Sequence, residues 1–245
     1  MITLRRAQER QLLHCRKQQV WQTFCPPDGS GLLTGGFETL EGLDEHRLPP
    51  GAVSAAHPRQ EAEIVTYVFK GALAQEDSSG RSGVVCAGEF QRMTIGRGMR
   101  HKETNASRSD WAHIFRLSLR PSQMGLECAH EQQRFAAAQR HNMLCIVASP
   151  DGRKGSLRIL QDALVCSSVL DPGRHLVHEL LPGRSAWLHV ICGEATLDDL
   201  ILVQGDGAGV TAERSVSLTA HESTELLLVD LVGPPPGSLA SEVGP

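Results

Sequence analysis

The segments AHPRQEAEIVTYVFKG at residues 56–71 and GRGMRHKETN at residues 96–105 enclose the stretch that decides the fold. Between them the chain alternates in short runs. EIVTYVF at 63–69 is halted by Lys70-Gly71, QEDSSG at 75–80 has turn composition, and GVVC at 83–86 and EFQRMT at 89–94 flank Ala87-Gly88. Residues two apart on a strand share a face, so such runs, bounded by Gly, Asp and Ser, read as short strands. The same period puts His101 and Glu103 on one face, an inward-directed pair that His57 could meet across a barrel. Two residues beyond His57, where a second histidine would complete a four-donor set, stands Arg59.

Outward from this block, WAHIFRLSL at 111–119 reads as another half-buried strand, with Trp111, Phe115, Leu117 and Leu119 alternating with polar or small residues. ECAHEQQRFAAAQRH at 127–141 is rich in Glu, Ala, Gln and Arg, and its composition predicts a helix that links two halves. Strand patterns then resume, interrupted by the turn SPDG at 149–152. Past residue 233 the composition is Pro/Gly/Ser-rich, which predicts a disordered tail over 233–245. The expected organisation is a first barrel over 1–126, a linker over 127–142 and a second barrel over 143–232.

An internal repeat supports this division. IVTYVFKG at 64–71 matches AWLHVICG at 186–193, and GEFQRMT at 88–94 matches GDGAGVT at 205–211. Two copies of one many-stranded unit with glycine corners predict an all-β chain of two tandem jelly-roll barrels. Carried over by these offsets, His57 falls on Glu179, His101 on Leu218 and Glu103 on Ala220, so the second barrel is expected to hold no ligand set. His175, His178 and His189 are expected to be ordinary polar or rim residues.

At 245 residues the chain is long enough for two such barrels. A formal charge of −4 and a pI near 6.3 leave no electrostatic footprint for nucleic acid or a membrane surface. No run approaches the length of a membrane span, and the basic residues near the start have no apolar run behind them. Seven scattered cysteines without a C-x-x-C pair predict reduced thiols and a cytoplasmic setting.

Two imidazoles and one carboxylate on one side of a metal form the facial arrangement of non-haem Fe(II) oxygenases. Spacing alone is weak, since the eleven histidines offer many trios. A histidine at a strand start (His57) and a polar surface turn over residues 96–105 account for the same residues equally well. Several independent motifs resemble the pirin family of two-barrel cupin proteins. One runs through His57-Pro58-Arg59, Glu63, Thr66-Tyr67-Val68 and Gly71; a second through Gly96, Gly98, His101 and Glu103. Further likeness lies at Asp77-Ser78 and Gly80, at 131–135, at Ser149-Pro150-Asp151 and at Gly155-Ser156-Leu157.

The resemblance implies a divalent transition metal, usually iron, bound by His57, His101 and Glu103, with Arg59 where the family carries its remaining histidine. It also implies ring-opening of a quercetin-type flavonol by dioxygen, and in such an enzyme Glu103 or Glu63 would take the substrate's hydroxyl proton. Tyr67 reads as strand packing with its hydroxyl hydrogen-bonded, with a substrate contact as the alternative. Other relatives are regulatory partners, so a metal-free barrel that binds a small molecule or an unidentified protein is the alternative. Arg59 bears on the choice because a guanidinium cannot ligate a cation and could pair with Glu103 instead. Its side chain could also swing to the rim, and Glu61 or Glu63 could supply a substitute carboxylate.

Overall fold

The computed structural model describes residues 1–15, 17–25, 33–54, 62–78, 80, 82–95, 101–123 and 125–233. His57, Arg59 and Glu61 lie outside the described residues, as does the expected tail beyond residue 233. The chain is nearly all-β. In order, its strands begin with β1 (Ile2–Arg5), β2 (Gln11–Cys15), β3 (Gln18–Gln22), β4 (Leu40–Leu48), β5 (Ala62–Lys70), β6 (Ala72–Asp77) and β7 (Ser82–Cys86). They continue with β8 (Glu89–Ile95), β9 (His101–Asn105), β10 (Ala112–Leu119), β11 (Ala129–Arg134), β12 (Cys145–Ser149), β13 (Leu157–Arg158) and β14 (Ala163–Leu170). The last are β15 (His175–Glu179), β16 (Arg184–Cys192), β17 (Glu194–Leu197), β18 (Leu200–Val203), β19 (Gly207–Val210), β20 (Ser215–Ala220) and β21 (Thr224–Val232). A four-residue helix, α1 (Ala137–Arg140), precedes β12.

Each half pairs a large sheet with a small one. Among the described residues the first large sheet runs β11-β8-β5-β10-β4-β3-β2 and the second β1-β19-β16-β21-β14-β12-β13; the small sheets are β7-β6-β9 and β15-β20-β17-β18. The repeat read from the sequence is therefore structural. β5 and β16 are central strands, β8 and β19 flank them, and Gly71 and Gly193 both close the following corner at positive φ. A Cβ on Gly71 would approach the Ala112 Cα to 2.9 Å, and one on Gly193 the Ser223 carbonyl oxygen to 2.5 Å, so neither corner admits a side chain.

Two features depart from expectation. The stretch expected to be helical over 127–141 instead forms β11, an exposed edge strand paired with β8, and only Ala137–Arg140 is helical. An open sheet edge offers β11 a full row of backbone partners, and tertiary pairing of this kind overrides helix propensity. The chain's first strand also belongs elsewhere: β1 pairs with β19 and completes the large sheet of the second barrel.

β5 and β10 are buried along both faces. Their two faces serve different purposes. Val65, Tyr67, Phe115, Leu117 and Leu119 pack with Trp187, Leu227 and Val229 of the other half in a shared core between the barrels. Ile64 joins Ala62, Met93 and Ile95, and Val68 joins Leu48, Leu73 and Ile114, in two separate clusters inside the first barrel. Between these clusters runs a polar row, fixed by register: Asp44 opposite Arg116, Arg116 opposite Thr66, Thr66 opposite Gln91. The equivalent row of the second barrel is Cys166, Leu228, Leu188 and Ala208, and all four belong to one continuous apolar cluster. This row is apolar in the second barrel and polar in the first; the buried Asp230 of the second barrel lies two residues farther along β21.

Candidate functional site in the first barrel

β9 brings His101 and Glu103 to the polar band. It pairs antiparallel with β6, His101 opposite Asp77 and Glu103 opposite Gln75. Alternation directs Glu103 inward and Lys102 to solvent, so Glu103 is buried and Lys102 exposed. His101 Nε2 stands 3.8 Å from Glu103 Oε1. Two ligands at about 2.1 Å from a common ion and at right angles would lie about 3 Å apart, so a small side-chain adjustment brings this pair to ligating geometry. The backbone holds the strand in place, with the Ser54 N–H donating to the Glu103 carbonyl oxygen at 2.8 Å.

The second carboxylate oxygen of Glu103 is already engaged. Arg116 donates from Nη2 to Glu103 Oε2, with both side chains at least 95% buried. The sequence reading assigned competition for Glu103 to Arg59. Arg59 lies outside the described residues; among those described, Arg116 bonds Glu103 from the centre of β10. A half-buried reading of 111–119 leaves this arginine facing solvent, but β10 lies between the barrel interior and the inter-barrel core. Its even-numbered residues, Ile114 and Arg116 included, point into the barrel. A crevice beside His101 is lined also by Gln75, Asp77, Met93 and His130. His130 is delivered by β11, the strand that composition concealed.

Glu63 and Tyr67 lie on the other face of β5, Tyr67 packed and hydrogen-bonded as the strand-packing reading expects. Both sit at odd positions of β5 and face the other barrel. Glu63 accepts from the Thr94 hydroxyl and, at 3.2 Å, from the Leu160 N–H. Tyr67 stacks on Phe90 at 4.3 Å and donates to Glu225, which also binds Arg140 at 2.7 Å. Burial first, and the Glu225 carboxylate second, push the Tyr67 phenol well above its ordinary range. These residues join the two halves of the molecule.

A second buried polar cluster occupies the same interface. Glu45 accepts from Arg10 at 3.0 Å and is 2.8 Å from His113 Nε2. Burial alone would raise its pKa, but the His113 hydrogen bond and the Arg10 charge together outweigh it and hold the carboxyl down at about 2. His189, expected at a rim, is fully buried beside this cluster, and burial pushes its pKa down to about 3.

In the second barrel the expected ligand counterparts shift by two residues. Gln75 pairs with Glu103 as Leu197 pairs with Leu218, so Glu103 corresponds to Leu218 and, two residues earlier, His101 to Val216. A shift of two preserves the face, and both counterparts are buried apolar residues. His178 is 2.8 Å from Asp230, on which Arg184 also bonds, and His175 pairs with Thr219. Among the described residues no three of His, Cys, Asp and Glu cluster as a metal site, and no helix is long and apolar enough to cross a membrane.

The chain resembles known proteins along nearly its whole length. Residues 9–118 match the family described as Pirin, and residues 146–231 match the family described as quercetinase C-terminal cupin domain. A quercetin 2,3-dioxygenase of Escherichia coli K12 is 33% identical over 94% of this chain and 99% of its own. A pirin-like protein of Caulobacter vibrioides is 30% identical over 76% of this chain and 81% of its own. The crystal structure of the E. coli bacterial pirin YhhW in complex with nickel(II) superposes with a TM-score of 0.88 at 32% identity, covering 96% of this chain and all of that one. By sequence and by its paired barrels, the chain belongs to the pirin family of bicupin proteins.

Proposed function

We propose that the first barrel is the centre of a metal-dependent dioxygenase acting on a quercetin-type flavonol or a similar enolic aromatic. The observation that carries this reading is the asymmetry of the two barrels: only the first has a polar row at mid-height, with His101 and Glu103 converging on it. His101 Nε2 and Glu103 Oε1 fit a divalent ion, with His57 as the third donor and Fe(II) as the resident metal. Such an ion supplies Lewis acidity and an electron route between substrate and dioxygen. Arg116 orients Glu103 by holding Oε2, which leaves Oε1 toward His101. With Glu63 engaged on the far face of β5, Glu103 is the carboxylate placed to take the substrate's hydroxyl proton. The relatives' printed activity and the nickel in the E. coli structure support the same reading.

The buried Arg116–Glu103 pair favours one alternative, a metal-free barrel in which this pair replaces the ion and the chain acts by binding a small molecule or a protein. Metal content and quercetin turnover decide between them. Protein incubated with Fe(II) or Ni(II) and desalted should retain about one ion per chain and consume dioxygen with quercetin. His101→Ala should lose both. Retention below ~0.1 ion per chain with Fe(II), Cu(II) or Ni(II) would reject the enzyme reading.

A further inference from the structure

The interface between the barrels opens into a cleft of about 620 Å³, well within the range of small-molecule sites. It is remote from His101. Phe69 and Lys70 line it from the last turn of the chain along β5, six residues and so about 20 Å beyond Ile64 at the level of His101. Phe69 also lies on the inter-barrel face of the sheet, packed against the shared core.

The lining has a definite chemistry. Arg47, Lys70 and His113 bring basic groups to the cleft, and no Asp or Glu is among its described lining residues. Glu45 lies behind them and is already matched by Arg10 at 3.0 Å and His113 at 2.8 Å, both closer than Arg47 at 3.5 Å. Positive charge therefore remains in excess at the opening. His113 is more than nine-tenths buried and bonds Glu45 through Nε2, so Glu45 draws little on Arg47 and Lys70.

The walls add flat apolar surface. Phe69 meets the His113 ring edge-on at 5.2 Å, and Trp111 is 51% exposed, an unusual position for so large a ring. Gln19 from one barrel and Gln204 from the other supply amides that can bond a hydroxyl or a carboxylate edge. Cations beside aromatic walls recognise a planar anion better than either a bare anion or a neutral ring.

We propose that this inter-barrel cleft is a binding site for a small planar aromatic carboxylate, separate from the metal site. The ring lies against Trp111 and Phe69, and the carboxylate is held by Arg47 and Lys70. Because both barrels contribute, an occupied cleft also ties the two halves together.

Calorimetric titration of the full-length protein with 2-naphthoate tests this. Saturable binding of one ligand per chain is expected, unchanged in His101→Ala, with acetate and 2-naphthalenemethanol each at least about tenfold weaker. Arg47→Gln and Lys70→Gln should each weaken 2-naphthoate by about tenfold, the loss of one charge-assisted contact. Lys70→Arg should restore most of the affinity, which separates recognition from misfolding. Absence of saturable binding would overturn the proposal. So would equal affinity for 2-naphthalenemethanol or for acetate, or undiminished binding to the Arg47→Gln/Lys70→Gln double variant. Loss of binding in His101→Ala with retention in that double variant would place the ligand in the first barrel and also overturn it, whether or not the protein oxidises quercetin.

Discussion

Replacing Arg116 by Met removes the only charge shown on Glu103 Oε2 while keeping most of the volume inside the barrel. Both partners are at least 95% buried, so solvent does little to screen the pair. Breaking such a pair by deleting one member leaves an uncompensated buried carboxylate and costs about 3–5 kcal/mol. For a chain of this size, each kcal/mol corresponds to roughly 2–4 °C in Tm, so the metal-free variant should melt roughly 6–20 °C below the parent. Two rescues are expected. Neutralising the stranded group in Arg116→Met/Glu103→Gln should return much of the loss. Nickel(II) at about a hundred times its Kd should add about 2.7 kcal/mol to Arg116→Met, because the ion would now supply the missing positive charge. Thermal melts with and without Ni(II), after chelation and desalting, measure all of this. An Arg116→Met protein that melts within about 2 °C of the parent would refute the assigned burial and pairing. An Arg116→Met protein whose Tm does not rise with Ni(II) would refute the placement of Glu103 as a metal ligand.

Acid sensitivity should be concentrated between the barrels. The folded Glu45 pKa of about 2 lies below its ordinary value of 4.5, so its contribution is present above pH 4.5 and is lost as pH falls toward 2. That difference amounts to about 3 kcal/mol, and Glu45→Gln should flatten stability over this window in urea unfolding series. His189, held neutral with a folded pKa near 3, loses its contribution earlier, from pH 6.5 downward; His189→Gln should remove that limb of the profile. Tyr67→Phe should cost about 1–3 kcal/mol by leaving Glu225 and Arg140 short of a partner, with no change in metal content, since the phenol lies outside the barrel.

The fold was legible because the repeat is written in pattern and punctuation together. Ile64 to Gly71 and Ala186 to Gly193 share both the alternation and the glycine corner that backbone crowding demands. His101 and Glu103 were legible for an equally local reason, the period of two. What escaped the reading depends on the surroundings of a strand. β5 and β10 are covered on both sides, so alternation tells which residues lie together but not which side is the barrel. Alternation therefore could not tell that Glu63 faces the other barrel or that Arg116 reaches Glu103. The residues of β11 favour a helix in isolation and become a strand because β8 has an edge to fill. The dry row of Cys166, Leu188, Ala208 and Leu228 was present in the repeat as well, but its meaning required the register that aligns it with Asp44, Thr66, Gln91 and Arg116.

The placement of β1 has a consequence for the order in which the molecule can be completed. Ile2 leaves the ribosome 208 positions ahead of its partner Val210. At roughly 5–20 residues per second this is an interval of roughly 10–40 s. Throughout that time the first strand has no sheet to join, although the barrel that follows it directly can already close. The second barrel is therefore sealed by a strand made before the whole of the first barrel. Cutting between the barrels would deprive the downstream half of its edge strand, and a bulky fusion ahead of β1 would burden the barrel farthest from it in sequence.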